Sequence, residues 1–196
     1  PDVSSAASDV YKRQLVSNEN LTLIGSAEHR SVGRQAVRES VVVLKDDNVL
    51  PISKDLQTLV VAGKGADNLG MQCGGWSIDW QGGQGDITIG TTILDGIKKA
   101  VSDSTEIIYS EDGSDVVPNS DNIAVVVIGE DPYTEWFGDK ENLDLNDDDI
   151  NLINSLKDKG YKVAVLLISG RPMNVADHIG QWDAFAAIWL PGTEGN

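Results

Sequence analysis

The eleven residues from Gly129 to Asp139, Gly-Glu-Asp-Pro-Tyr-Thr-Glu-Trp-Phe-Gly-Asp, set Glu130, Asp131, Glu135 and Asp139 among Tyr133, Trp136 and Phe137. An aromatic face stacks well on the apolar face of a sugar ring. A carboxyl group held near apolar rings can stay protonated close to neutral pH. Together these are the parts of a proton donor to a glycosidic oxygen. The same composition also describes a solvated acidic loop.

A second group lies upstream, Gly74-Gly75-Trp76-Ser77-Ile78-Asp79-Trp80-Gln81-Gly82-Gly83. Large aromatics in a glycine-rich loop cost solubility unless they are covered or used. Trp76 and Trp80 suit a pyranose face, and Asp79 and Gln81 can hydrogen-bond sugar hydroxyls. The alternative is that the two indoles close over the domain's own core.

The elements that must position these loops are short apolar runs. Leu59–Ala62, Glu106–Tyr109, Ile123–Ile128, Val163–Ile168 and Ala186–Leu190 read as buried strands, and Val41–Leu44 as a further short one. Helical patterns alternate with them. Ser26 caps one helix with Glu28 in its first turn. Thr91 or Thr92 caps a second, with Ile93, Ile97 and Val101 on one face. Asn146 caps a third, whose Asp147, Asp148 and Asp149 match the positive end of the helix dipole and whose apolar face is Ile150, Ile153 and Leu156. A short helix is expected over Val175–Ile179. Alternation of strand and helix predicts a three-layer α/β sandwich with a mostly parallel sheet. The acidic loop then lies at a strand's carboxyl end, where sites gather in such sheets.

Composition narrows the function. The chain has 196 residues, 40% of them hydrophobic, and a net charge of −16. That charge argues against nucleic acid and favours a neutral ligand. No apolar run reaches the ~20 residues that span a bilayer, which argues against a membrane partner. Cys73 stands alone, and with only His29 and His178 it offers no zinc-like set, so neither metal nor cofactor is expected. Gly63-Lys64-Gly65-Ala66-Asp67-Asn68 falls one glycine short of a dinucleotide fingerprint, and no helix is expected to open after it. Ser169 has no histidine partner and no Gly-x-Ser-x-Gly setting. Arg171 reads as a turn cap or a carboxylate holder, and Glu194 as solvent decoration. Residues 1–14 read as a leader foreign to the fold, 15–30 as an interdomain linker and 31–196 as the sandwich domain, incomplete at its C-terminus.

Taken in order, these segments resemble the second, α/β-sandwich domain of family 3 glycoside hydrolases, the β-glucosidase and exo-β-glucanase type. The resemblance is carried by Ala27-Glu28-His29-Arg30, the run from Leu44 to Pro51, Val61-Ala62-Gly63-Lys64 with Ala66-Asp67-Asn68, the Gly-Gly-Trp loop, Gly90-Thr91-Thr92-Ile93-Leu94, the Pro-Tyr-Thr-Glu loop, Ile168-Ser169-Gly170-Arg171-Pro172 and Trp189-Leu190-Pro191-Gly192-Thr193-Glu194-Gly195. It implies a retaining hydrolase acting on a terminal β-D-glucosyl residue of a β-glucoside or β-glucan. A preceding (β/α)8 barrel, absent here, would supply the aspartate nucleophile. By motif position Glu135 is the general acid/base, with Glu130 as runner-up. Trp76 and Trp80 form the platform on the leaving-group side, with Asp79 and Tyr133 as further sugar contacts. Neither Asp79 nor Asp139 matches a family nucleophile, so the chain alone is expected to be inactive. A β-xylosidase or α-arabinosidase is also compatible. So is a non-catalytic carbohydrate-binding module that uses Trp76 and Trp80 alone. Export is commonly implied for full-length relatives; the sequence itself names no compartment.

Overall fold

The computed structural model describes residues 18–195; the expected leader at 1–14 lies outside them. After a 3₁₀ turn at Asn18–Leu23, the elements are α1 (Ala27–Ser40), β1 (Val42–Asp46), β2 (Thr58–Ala62), α2 (Leu69–Cys73), α3 (Ile93–Ala100), β3 (Glu106–Ser110), β4 (Ile123–Gly129), α4 (Asp147–Asp158), β5 (Lys162–Ile168) and β6 (Ala184–Trp189). The sheet order is β1-β6-β5-β4-β2-β3. All pairings are parallel except β1 against β6. This is the mostly parallel α/β architecture expected from the alternation of strands and helices.

Successive strand side chains point to opposite faces, and both faces are buried. Val60, Ala62, Ala124, Val126, Ile128, Val163, Val165 and Leu167 pack with Leu152, Ile153 and Leu156 of α4. Leu59, Val61, Val125 and Val127 face the other way and pack with Met71 of α2 and Ile93 and Leu94 of α3. The near-continuous apolar runs follow from this two-sided cover.

The order of the sheet also places the functional loops. β2 is flanked by β3 on one side and β4 on the other, so the direction of winding reverses between β2 and β4. Crevices at the carboxyl ends of such a sheet form at that reversal. The Gly63–Gly90 loop leaves β2, and the acidic loop leaves β4. Gly63 fits the crossing because it has φ 94° and packs directly onto the Val127 carbonyl. Any Cβ there would collide with backbone.

Three local expectations need correction. A helix does open after Gly63–Asn68: Asn68 caps α2, its Oδ1 accepting the Met71 N–H at 2.9 Å. The same oxygen accepts from Gly85, and Nδ2 donates to Gln84, which folds the loop back on itself. Leu69–Gln72 are buried, so the reason a pyrophosphate has no seat is a helix start closed by its own cap. Val175–Ile179 is a turn followed by a 3₁₀ turn at Ile179–Gln181. Asn174 competes with helix formation by donating to Asp144 at 2.6 Å and accepting from the Ala176 N–H.

Glu194 is the third. It is buried, not solvent decoration: Arg30 Nη1 donates to Oε1 at 2.6 Å and Arg34 Nη1 to Oε2 at 2.7 Å. Both arginines lie on α1, a helix with no buried residue of its own. Gly33 lets that helix lie flush on the Glu194 side chain, and Trp189 Nε1 holds the helix end at Ser40 O, 3.1 Å. A polar clasp therefore docks α1 where an apolar face would normally do so. Removing Arg30 and Arg34 together should strand the buried carboxylate and cost about 3 kcal/mol. Glu194→Gln keeps an acceptor and should cost only about 1 kcal/mol. Urea midpoints at constant slope measure both; unchanged midpoints would show the clasp to be idle.

Candidate active site

The acidic loop is built around a buried charge. Glu130 follows β4 directly, and its N–H donates to Ile168 O at 3.1 Å. Arg171, just beyond β5, meets its carboxylate through Nη2 at 2.7 Å and Nε at 3.2 Å. Its Nη1 donates to Gly138 O at 2.6 Å, and its guanidinium lies 4.3 Å from the Tyr133 ring centroid. One cation thus gathers the start, the middle and the end of the loop. Lys140, half exposed, adds a weaker contact to Glu130 at 3.3 Å. Burial alone would raise the Glu130 pKa, but the hydrogen bonds and charge of Arg171, then those of Lys140, outweigh it and hold the carboxyl below its ordinary value. A carboxylate so firmly ionised is a poor proton donor. Glu130 braces the loop.

Tyr133 packs beneath that guanidinium and against Gly138, whose bare α-carbon makes room for the ring. Burial, then the nearby Glu130 charge, raise its hydroxyl above the ordinary phenol range. Its ring face is engaged inside the protein.

Glu135 is placed differently. It opens a 3₁₀ turn, Glu135–Gly138, and is exposed. Its φ of 46° is in the left-handed region, which costs a residue with a Cβ about 1 kcal/mol or more. Directly after it, Trp136 and Phe137 project onto the other loop. Trp80 is the hub: its ring centroid lies 5.6 Å from Trp136, 5.7 Å from Phe137 and 6.3 Å from Trp76. The first two contacts are edge-to-face, a favoured geometry for aromatic pairs. Trp76, Trp136 and Phe137 remain more than 60% exposed, Trp80 37%. The two indoles therefore do not close over the core.

The Trp76–Trp80 turn is also strained. Trp76 and Ile78 have φ of 61° and 64°, and for a β-branched residue that is a true outlier. Asp79 Oδ1 accepts the Trp80 N–H at 2.7 Å, and the Trp76 N–H donates to Trp80 O at 3.0 Å. Asp79 is exposed, and this bond shapes the turn. Gln81 reaches across to the other loop, its Oε1 accepting the Thr134 N–H at 3.1 Å. Asp139 is exposed at the far side of the acidic loop. The exposed platform thus has four rings: Trp76 and Trp80 of the expected platform, joined by Trp136 and Phe137 of the acidic loop. Trp136 and Phe137 carried the signal: apolar residues in a polar loop, directly after the carboxylate of interest.

A cleft of about 290 Å³ opens beside this platform, lined by Lys64, Glu130, Tyr133, Phe137, Lys140 and Asp149 among others. Among the described residues no cluster of three or more His, Cys, Asp or Glu side chains could hold a metal, and no helix is long and apolar enough to cross a membrane.

This fold and these loops match known proteins. The model of the glycosyl hydrolase family 3 C-terminal domain matches residues 41–196, and the chain belongs to that family. It is 30% identical over 192 residues to the lysosomal beta glucosidase of Dictyostelium discoideum, covering 88% of this chain and 23% of that protein. It is 28% identical over 201 residues to the periplasmic beta-glucosidase of Salmonella typhimurium, covering 85% and 26%. Among solved structures, the exo-1,3/1,4-beta-glucanase of a Pseudoalteromonas species superposes with a TM-score of 0.79 at 42% identity, over 87% of this chain and 22% of that one. The chain spans about a quarter of the length of the curated relatives it matches.

Asp149 gives the site region a titration of its own. It sits buried in the first turn of α4, and its pKa is raised from 3.8 to about 6. Burial is the main cause; Lys64 and the Gly129 N–H oppose it, and Asp131 and Asp148 add to it. Its folded value lies above its unfolded one, so this carboxyl contributes most below pH ~4, and stability falls as pH rises from ~4 to ~6. The loss is at most about 3 kcal/mol. The Glu130 contribution runs the other way: it is present above the ordinary glutamate pKa and is lost as pH falls through its lowered folded value. Asp149→Asn should flatten the slope between pH 4 and 6 in urea unfolding and raise stability at pH 7.5. An unchanged slope would show that Asp149 does not carry it.

Proposed function

We propose that this chain is the second domain of a retaining glycoside hydrolase that removes terminal β-D-glucosyl residues from β-glucosides or β-glucans. The observation that carries the reading is the meeting of the two loops: Trp136 and Phe137, next to Glu135, pack edge-on against Trp80. An exposed glutamate therefore directly precedes two rings of an exposed aromatic platform.

In this reading Glu135 protonates the departing glycosidic oxygen and then removes a proton from the water that releases the sugar. Trp76 and Trp80, with Trp136 and Phe137, hold the leaving-group sugar. Asp79 lies on the platform's edge as a hydrogen-bonding group. Tyr133 acts mainly from beneath, as a support for the loop. A preceding barrel domain brings the nucleophilic carboxylate, about 5–5.5 Å from the acid in a retaining site. Sugar choice rests mainly with that half. The exposed platform fits such a shared site, because a surface of this kind requires a cover or a ligand.

The alternative is a carbohydrate-binding module, which the exposure of the rings favours. Tryptophan fluorescence of this chain titrated with laminaribiose or cellobiose separates the two. Tight binding without any contribution to turnover would support the module.

The enzyme reading makes two linked predictions. This chain alone should not turn over a chromogenic β-glucoside; robust turnover abolished by Glu135→Gln would contradict the need for a second half. In a full-length enzyme carrying this domain, Glu135→Ala should slow substrates with poor leaving groups about 10²–10⁴-fold. It should spare those with good leaving groups and respond to azide. Glu130→Ala should show no azide rescue.

A further inference from the structure

We propose that Gln81 is a positioning residue that joins the tryptophan loop to the acid loop, so that the place of Glu135 is set from the Trp76–Trp80 turn. The proposal rests on the reading of Glu135 as the acid, but the joint itself is visible without it.

The two loops leave different strands and meet backbone against backbone. Gly75 lies directly on the Tyr133 carbonyl and the Thr134 methyl, and Gly82, with φ 78°, lies against Pro132. At neither position is there room for a side chain. Gln81 crosses this seam, and its Oε1 accepts the N–H of Thr134, the residue before Glu135. That N–H can only donate, so it fixes which end of the amide faces the acid loop. Thr134 is 5% exposed, and the peptide it holds leads straight into the strained Glu135 backbone. A strained conformation persists only where its surroundings hold it. The Gln81 bond and the packing of Trp136 and Phe137 on Trp80 are what hold it from the tryptophan side.

The other two polar atoms at the seam, Gln81 Nε2 and Thr134 Oγ1, are buried without a protein partner among the described residues. The Oε1 bond is therefore the polar contact at the seam itself; Lys64, at the root of the long loop, adds an exposed ion pair to Asp131 at 3.2 Å. Arg171 fixes the loop from the opposite flank, through Glu130 and Gly138. Glu135 lies between these two anchors.

Amide hydrogen exchange on this chain tests the joint. Gln81→Met keeps length and shape but loses the acceptor; Gln81→Glu keeps an acceptor oxygen at the same reach. Gly75→Ala keeps the Gln81 side chain but wedges against the same Tyr133–Thr134 peptide that the bond holds. The Met and wedge variants should exchange about tenfold faster at residues 137–139, whose N–H groups close the 3₁₀ turn, with β4 and β5 unchanged, and the Glu variant should not. No acceleration in the Met variant would overturn the proposal. So would equal acceleration in the Glu variant, or acceleration spread through β4 and β5. If the Met variant does not fold, the contrast between the wedge and Glu variants decides on the same terms.

In a full-length enzyme, Gln81→Met should slow an alkyl β-glucoside about tenfold and a dinitrophenyl β-glucoside less than about twofold, because a misplaced acid matters most where the leaving group needs a proton. Equal slowing of both would overturn the positioning role. Should Glu135→Ala itself show no dependence on the leaving group, the reading of Glu135 would fall while the exchange result stood.

Discussion

A buried carboxylate and a guanidinium fork hold this site in shape. Glu130 and Arg171 leave neighbouring parallel strands, β4 and β5, so the sheet itself brings them together. Neither charge could be buried alone. Paired, they leave Arg171 an Nη1–H for Gly138 O and a flat face for Tyr133. The residues between those contacts have little freedom left. Glu135 is pushed outward into a left-handed conformation, and Trp136 and Phe137 are delivered to Trp80. The ionised pair thus supplies the geometry of the loop that carries Glu135.

The same logic places the second loop. Reversal of winding between β2 and β4 puts the carboxyl ends of those strands side by side, so a long glycine-rich excursion and a short acidic one emerge together. Gln72, fully buried, anchors the root of the long excursion. Its Nε2 donates to Thr91 O and Gly192 O, and its Oε1 accepts the Ile93 N–H. The turn it grips there also carries Glu194, which clasps α1. A chain of polar contacts therefore runs from α1, ahead of the domain matched by the family model, to the base of the tryptophan loop. In the proposed two-part site, that is the route by which a preceding half would be registered against this one.

Much of this was legible in the residues. Strands buried on both faces announce themselves as unbroken Val, Ile and Ala runs, and Ser26, Thr92 and Asn146 cap the helices they were expected to cap. The acidic aromatic loop was visible because carboxylates and rings rarely crowd together without cause. What stayed hidden depended on contacts distant in sequence. Glu194 looks like any terminal acid until α1 folds back 160 residues to meet it. Arg171 could be given two roles, and only the register of β4 with β5 chooses the carboxylate. Asn174 broke an expected helix through a bond to Asp144, thirty residues away. Gln81 was read as a sugar ligand because an amide in a tryptophan loop gives no sign that it faces another loop. Residue type indicated chemistry well; it could not say which polar groups would spend themselves inside the protein.

The central claim is that the Glu130–Arg171 pair presents Glu135, the proposed acid, and the aromatic platform that follows it. Nuclear Overhauser contacts between the Trp80 and Phe137 rings, measured in Arg171→Met beside the wild type, test it most directly. The account predicts that these contacts vanish in Arg171→Met while the amide resonances of β2, β4 and β5 stay in place. It also predicts that adding Glu130→Gln, which removes the stranded charge, recovers stability without restoring the ring contacts. Ring contacts that survive the loss of Arg171 intact would contradict it.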